Sequence, residues 1–208
     1  MILIGQFDSP FVRRVGIALY LYGLSYEHQP WSTFSDADRI APYNPLLRVP
    51  TLVLDNGESL IESGAILDHL DETVGPARAM MPREGQGRRQ QLRTCGLATG
   101  LADKAVGLFY ERAVHAQVSE PWSERLVMQI RGVLDALEAE RRAVPSVWWF
   151  GDAIGHGDIA VACALRFATD ALPGLFDPAT WPALASHATA CEALPAFQSV
   201  VQPFRPPD

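Results

Sequence analysis

Basic charge is what this sequence most lacks. Lys and Arg total 17 against 24 Asp and Glu, a net charge of −7 with a pI near 5.2. The chain therefore has no overall basic excess with which to hold a phosphate backbone or an anionic lipid surface, and nucleic acid is not expected as a partner. Long apolar runs are also missing. None approaches the roughly 18 to 20 residues of a membrane span, and the opening MILIGQFDSP puts no basic segment before its apolar stretch, as a secretory leader would. A soluble cytoplasmic protein without membrane contact is the expectation. Cysteine is scarce: Cys95, Cys163 and Cys191 are odd in number, widely spaced and set in helical-looking sequence, which argues against a disulfide framework or a zinc site and reads them as small buried hydrophobes. Internal repeats and low-complexity tracts are absent. What is abundant is apolar material, 48% of 208 residues with 20% charged, enough for a sizeable core and too much for a disordered chain.

Two styles of pattern divide the chain. Residues 1–75 alternate short β-like runs with helical periods, whereas the sequence after about residue 85 reads as helices separated by Pro and Gly. Ile2 to Gln6 is a strand candidate, followed at once by a helical period from Pro10 to Gly23, the opening of a βαβ unit. Tyr26 to Pro30 supplies a second strand, Asp36 to Ala41 a short helix, and Thr51 to Leu54 a third strand. Asp55-Asn56-Gly57 then predicts a hairpin into Glu58 to Ile61, because Asn-Gly supplies the positive φ angles of a tight turn. A helix from Ser63 or Gly64 to about Thr73 completes a β-α-β-α-β-β-α order. Residues 76–87 read as a linker, and 88–208 as an all-helical domain. Its helices are placed at Arg88 to Gln117, Trp122 to Arg142, His156 or Asp158 to Ala171, and in short pieces at 181–190 and 193–200.

Three places can carry chemistry. At Asp8-Ser9-Pro10, Ser is a favoured helix N-cap and Pro fits the first helical position. The turn either only caps the helix or, with its exposed N–H groups, its hydroxyl and Arg13 or Arg14 nearby, makes a site for an anion or a thiolate. Asn44-Pro45-Leu46-Leu47-Arg48-Val49-Pro50 runs directly into a strand, so the residue before Pro50 can keep its main-chain groups free for a peptide, or the segment is simply a loop corner. Glu62-Ser63 stands at the entry to a helix, where N–H groups can bind a carboxylate and Glu62 an ammonium, or where an ordinary cap is all that is needed.

Together these features resemble the cytosolic glutathione S-transferases, of the bacterial type with a serine active site. The resemblance rests on a Ser at the first strand-to-helix turn, an N-P-x-x-[KR]-V-P-x-L segment, an Glu-Ser pair shortly after it and a helical second half. It implies a thioredoxin-like, glutathione-binding domain (1–75) followed by a helical-bundle domain with the electrophile pocket. By the same resemblance, Ser9 activates the thiol of glutathione, the co-substrate. Val49 pairs its main chain with the cysteinyl unit, cis-Pro50 holds that edge open, Arg48 stands near the glycyl carboxylate, and Glu62 with Ser63 takes the γ-glutamyl end. Phe11, Phe109 and Tyr110 are candidates for the electrophile pocket. Asp103 is a further candidate there, in a region where several members send an acidic residue to the ammonium of glutathione bound to the partner subunit. Trp31 and Phe34 either line the glycyl side or pack.

Departures narrow the reading. No Cys stands at Ser9-Pro10-Phe11, unlike the cysteine-type lyases and reductases. The zeta-like isomerases share the Arg14-Val15 and Ile17-Ala18-Leu19 context but carry Ser-Ser-Cys at that turn, which argues against maleylacetoacetate isomerisation. Leu47 replaces a usual Gly. Gly155 takes the cap position of the family's folding motif, leaving Asp158 to bond back alone, and His156 is read as a loop residue. The expectation is a homodimeric, cytoplasmic transferase, without a metal, that joins glutathione to small hydrophobic electrophiles in detoxification. The alternative is a GST-like glutathione-binding or interaction protein with little turnover.

Overall fold

A computed structural model describes residues 1–206. Strand β1 (Ile2–Ile4) leads into helix α1 (Pro10–Tyr22), strand β2 (Glu27–Gln29) and a single helical turn α2 (Ala37–Ile40). Strands β3 (Thr51–Val53) and β4 (Ser59–Ile61) and helix α3 (Ser63–Val74) follow. The sheet order is β2-β1-β3-β4, with β1 parallel to β2 and the other pairings antiparallel. Side chains alternate across a strand. Leu3 and Leu52 therefore join the core under α1 and α3, while Ile4 and Val53 pack with Ile40 of α2 on the opposite face.

The elements begin and end where local chemistry dictates. Helix α1 stops at Gly23, whose left-handed φ of 65° no β-carbon penalises and whose N–H returns to the Leu19 and Tyr20 carbonyls. At the hairpin only Gly57 adopts a positive φ, 86°. Asn56 instead accepts the Glu58 N–H on its side-chain oxygen, so the expectation of positive angles at both residues is corrected: the side chain holds the turn.

The second half holds α4 (Gly85–Ala113), α5 (Glu120–Arg142), α6 (His156–Ala171), α7 (Pro182–Glu192) and α8 (Pro195–Ser199). Helix α4 starts inside the segment read as linker and ends four residues short of Gln117. Helix α6 is buried almost throughout and lies between α4, α7 and α1. One core is shared by the two halves: Ile17 of α1 packs with Ile159 and Cys163 of α6 and with Cys191 of α7. All three cysteines are buried free thiols, and burial raises Cys163 to about 12, which leaves it protonated and inert. The architecture is a thioredoxin-like α/β unit followed by an all-helical one.

The reading of His156 as a loop residue is overturned. It is the first residue of α6, is 2% exposed, and its Nε2 lies 2.9 Å from Asp71 Oδ1 of α3. Tyr22 of α1 donates its hydroxyl proton to the same carboxylate oxygen.

Candidate active site

The end of β1, the start of α1 and the Val49–Pro50 loop meet at one end of the sheet. Gly5 permits the approach: at its φ of +126°, a Cβ would lie 2.5 Å from Val12 Cγ2 and 2.7 Å from Val49 Cβ. Ser9 caps α1, its backbone extended and its Oγ accepting the Val12 N–H at 3.4 Å. A hydroxyl has one proton and two lone pairs. The cap uses a lone pair and leaves the proton available for a second partner.

The Val49–Pro50 peptide is cis. Pro50 is buried behind the loop, whereas Val49 is half-buried, and neither its N–H nor its C=O has a hydrogen-bond partner among the described residues. Asn44, itself buried, fixes the preceding turn. Its Nδ2 donates to the Arg48 carbonyl at 2.8 Å and to Thr51 Oγ1 at 3.2 Å, and its Oδ1 accepts the Leu46 N–H at 3.0 Å.

Two neighbouring cavities gather the candidate residues. The larger, about 670 Å³, is lined by Ser9, Val49, Phe109 and Tyr110, with Trp31, Phe34 and Leu47 along one side. The smaller, about 370 Å³, is lined by Glu62, Ser63 and Arg14. Phe11, Arg48 and Asp103 border both. Ser63 is buried as the first residue of α3, where first-turn N–H groups have no helical acceptor. Glu62 precedes it with φ 67°.

Arg48 ties the two walls together, 3.3 Å from Glu62 and 3.7 Å from Asp103. All three side chains are more than half exposed, and ion pairs of that kind contribute at most about 1 kcal/mol. The bridge can therefore exchange readily with a charged ligand. Arg14 differs: it is 5% exposed, its Nε has no hydrogen-bond partner among the described residues, and burial holds its pKa below the usual arginine value.

The C-terminal segment forms a wall that sequence reasoning missed. Gln202 accepts the Phe7 N–H at 3.2 Å and Asp8 accepts the Arg205 N–H at 3.3 Å. The Phe204 ring meets Phe109 and Phe167 edge-on, with centroids 5.1 and 5.8 Å apart. Across the cavity mouth, Phe34 meets Tyr110 in the same manner at 5.4 Å. Burial raises the Asp8 carboxyl, against the lowering effect of the Arg205 N–H, and burial also raises the Tyr110 phenol. The tail carries no periodic signal, and an isolated phenylalanine among prolines was the only hint.

Chemically, the paired cavities offer a strip of free main chain, a helix N-terminus with a carboxylate beside it, a mobile-charge bridge and a hydroxyl at a second helix N-terminus. An aromatic recess adjoins them. A small zwitterionic peptide matches the first part and an apolar molecule the second.

Comparison with known proteins bears on the same features. A family model described as the N-terminal domain of glutathione S-transferase matches residues 3–78, and one for the C-terminal domain of glutathione S-transferase matches residues 120–190. A crystal structure of a glutathione S-transferase from Methylobacterium radiotolerans, in complex with glutathione sulfonate, is 31% identical. It superposes with a TM-score of 0.90 over 98% of this chain and 95% of that one. A glutathione transferase family member from Pseudomonas fluorescens Pf-5 with bound glutathione is 30% identical, with a TM-score of 0.83 over 100% of this chain and 99% of that one. Among curated relatives, the maleylacetoacetate isomerase of Rattus norvegicus is 29% identical over 100% of this chain and 94% of its own length.

Proposed function

The chain belongs to the glutathione S-transferase family, and from that premise we propose that it binds reduced glutathione and conjugates it to small hydrophobic electrophiles. The observation that carries the proposal is the convergence of Ser9, Val49, Glu62 and Ser63 on two cavities that share Phe11, Arg48 and Asp103. Glutathione bound across them would set its γ-glutamyl carboxylate at Ser63 and the N-terminus of α3, with its ammonium at Glu62 and at Asp103 of the same chain, in place of the reach to the partner subunit's glutathione that the resemblance implies for Asp103. Its cysteinyl amide would pair with the Val49 main chain, and its glycyl carboxylate would take Arg48. The ligand thus replaces each partner in the Arg48 bridge with one of its own charges.

Its sulfur then lies beside Ser9. A free thiol near pKa 8.5 is mostly protonated at pH 7, and lowering it by about two units requires roughly 2.7 kcal/mol of preference for the thiolate. A hydrogen bond to a charged acceptor contributes about 1.5–3 kcal/mol and a helix N-terminus about 0.3–1 kcal/mol, which together reach that figure. The thiol proton leaves to solvent. With an aryl halide held against Phe109, Tyr110 and Phe204, the sulfur lone pair forms the C–S bond and halide departs with the electron pair of the broken C–halogen bond. Proximity supplies much of the rate, and no covalent enzyme intermediate is needed. Such conjugation suits detoxification by a cytoplasmic homodimer. No helix among the described residues is long and apolar enough to cross a membrane.

The test is ultraviolet titration of bound glutathione with a conjugation assay on a generic aryl halide. Ser9→Ala should raise the bound thiol pKa by one to two units, a fall of about 10- to 100-fold in the thiolate-to-thiol ratio, and slow conjugation while glutathione still binds. Wild-type protein that binds glutathione with an unshifted thiol would leave only the second reading, a glutathione-binding protein with little turnover. Isomerisation of maleylacetoacetate, the activity in the rat relative's name, is assayed in parallel and is not expected, because Ser9-Pro10-Phe11 lacks a cysteine.

A further inference from the structure

Leu47 holds a backbone conformation that favours glycine. Its φ is 53°, and Glu62 is the one other non-glycine residue at positive φ among the described residues. For a bulky L-residue this region is an outlier that persists only where the surroundings impose it. They do: the Leu47 N–H reaches the Asn44 carbonyl at 3.0 Å, and the Asn44 side chain clasps Leu46 and Arg48 on either side. A glycine would occupy the same turn without steric cost, so the leucine side chain brings strain to the free protein.

Packing does not offset that strain. Leu47 is 41% exposed and belongs to none of the hydrophobic clusters among the described residues. It does line the larger cavity, and so does Phe34, which is 47% exposed. Both stand on the α/β half, whereas Phe109, Tyr110 and Phe204 line the cavity from the helical half and the tail. Two large apolar side chains are thus open to water on the same side of one recess, one of them in a strained turn.

We propose that Leu47, together with Phe34, forms an apolar lip that grips the hydrophobic body of the second substrate and so selects extended aliphatic or aromatic electrophiles over small polar ones. The proposal rests on the glutathione reading above, because the sulfur beside Ser9 fixes where the second substrate begins. Leu47 is a specificity residue in this account and takes no part in ionising the thiol.

Calorimetric binding of glutathione and of S-hexylglutathione, whose alkyl tail reports the apolar recess, tests it without relying on turnover. Wild type should bind S-hexylglutathione more tightly than glutathione. Leu47→Gly and Leu47→Ala should each weaken S-hexylglutathione about three- to tenfold, the loss of a few buried methyl or methylene contacts, and leave glutathione within about twofold. Phe34→Ala should act in the same direction. Leu47→Gly should melt no lower than Leu47→Ala, since glycine alone takes the turn freely; the reverse order removes the strain argument and overturns the proposal. Equal weakening of both ligands, no weakening of either, or a change in association state by light scattering overturns it as well, the last by assigning Leu47 to contact between copies of the chain. A wild type that binds neither ligand instead rejects the glutathione reading itself.

Discussion

Arg13 and Arg14 are adjacent and both buried, yet one is fully matched and the other is not. Arg13 grips Glu192 with two bonds of 2.6 and 2.8 Å and donates to the Val200 and Phe197 carbonyls. Arg14 has no carboxylate within salt-bridge distance among the described residues and an orphan Nε beside the smaller cavity. An uncompensated buried charge costs several kcal/mol. Arg14→Met keeps most of the volume and removes the charge, so the free protein should gain about 1–3 kcal/mol, seen as a rise in its thermal midpoint of a few degrees. A lower midpoint would show that the guanidinium is stabilising where it lies. Ser9 was ambiguous in sequence for a different reason. Capping uses its lone pair and thiol activation its proton, so the two roles are compatible in one hydroxyl.

Among the elements, the start of α6 best separates local from distant causes. Asp158 was legible as the residue that bonds back to the helix start, and its Oδ2 does accept the Gly155 N–H at 2.9 Å. Its other oxygen accepts the Trp149 N–H at 2.8 Å, tying the preceding loop to the helix. A side chain at 155 would also fit tightly, which sequence could not show. A Cβ there would lie 3.2 Å from the Gln91 amide nitrogen and 3.3 Å from the Met80 carbonyl. Asp158→Ala should therefore cost more than a simple cap: two buried N–H groups lose their acceptor at about 1–3 kcal/mol each. Urea unfolding measures it, and a loss below about 0.5 kcal/mol would contradict the double role.

At the scale of the whole molecule, the Asp71 carboxylate joins its two halves. Burial works to raise its pKa, but the bonds from His156, Tyr22 and the Met80 N–H outweigh that and hold it below the ordinary carboxylate value. A depressed folded-state pKa stabilises above the unfolded value, near 3.9, and loses that contribution as pH falls through the folded value. The native protein should lose stability below about pH 4. Asp71→Asn should be less stable at neutral pH and show a flatter acid limb, which denaturant midpoints across pH can read. A variant with an unchanged acid limb would remove Asp71 as its source.

Element order, the start and stop of α1 and the place of the hairpin were determined by the sequence itself, because each depends on contacts within a few residues, whereas the ends of α4 were not. Ser9-Pro10, Gly23 and Asn56-Gly57 are such cases, whereas the roles of Val49-Pro50 and Glu62-Ser63 stood out only through the resemblance to a family. Only the tertiary structure decided that His156 meets Asp71, that Arg48 bridges Glu62 and Asp103, that Arg14 is buried with no partner for its Nε among the described residues, and that Phe204 lines the cavity. Those contacts join positions far apart in the chain, where burial and charge are set by what packs alongside. No local pattern records that.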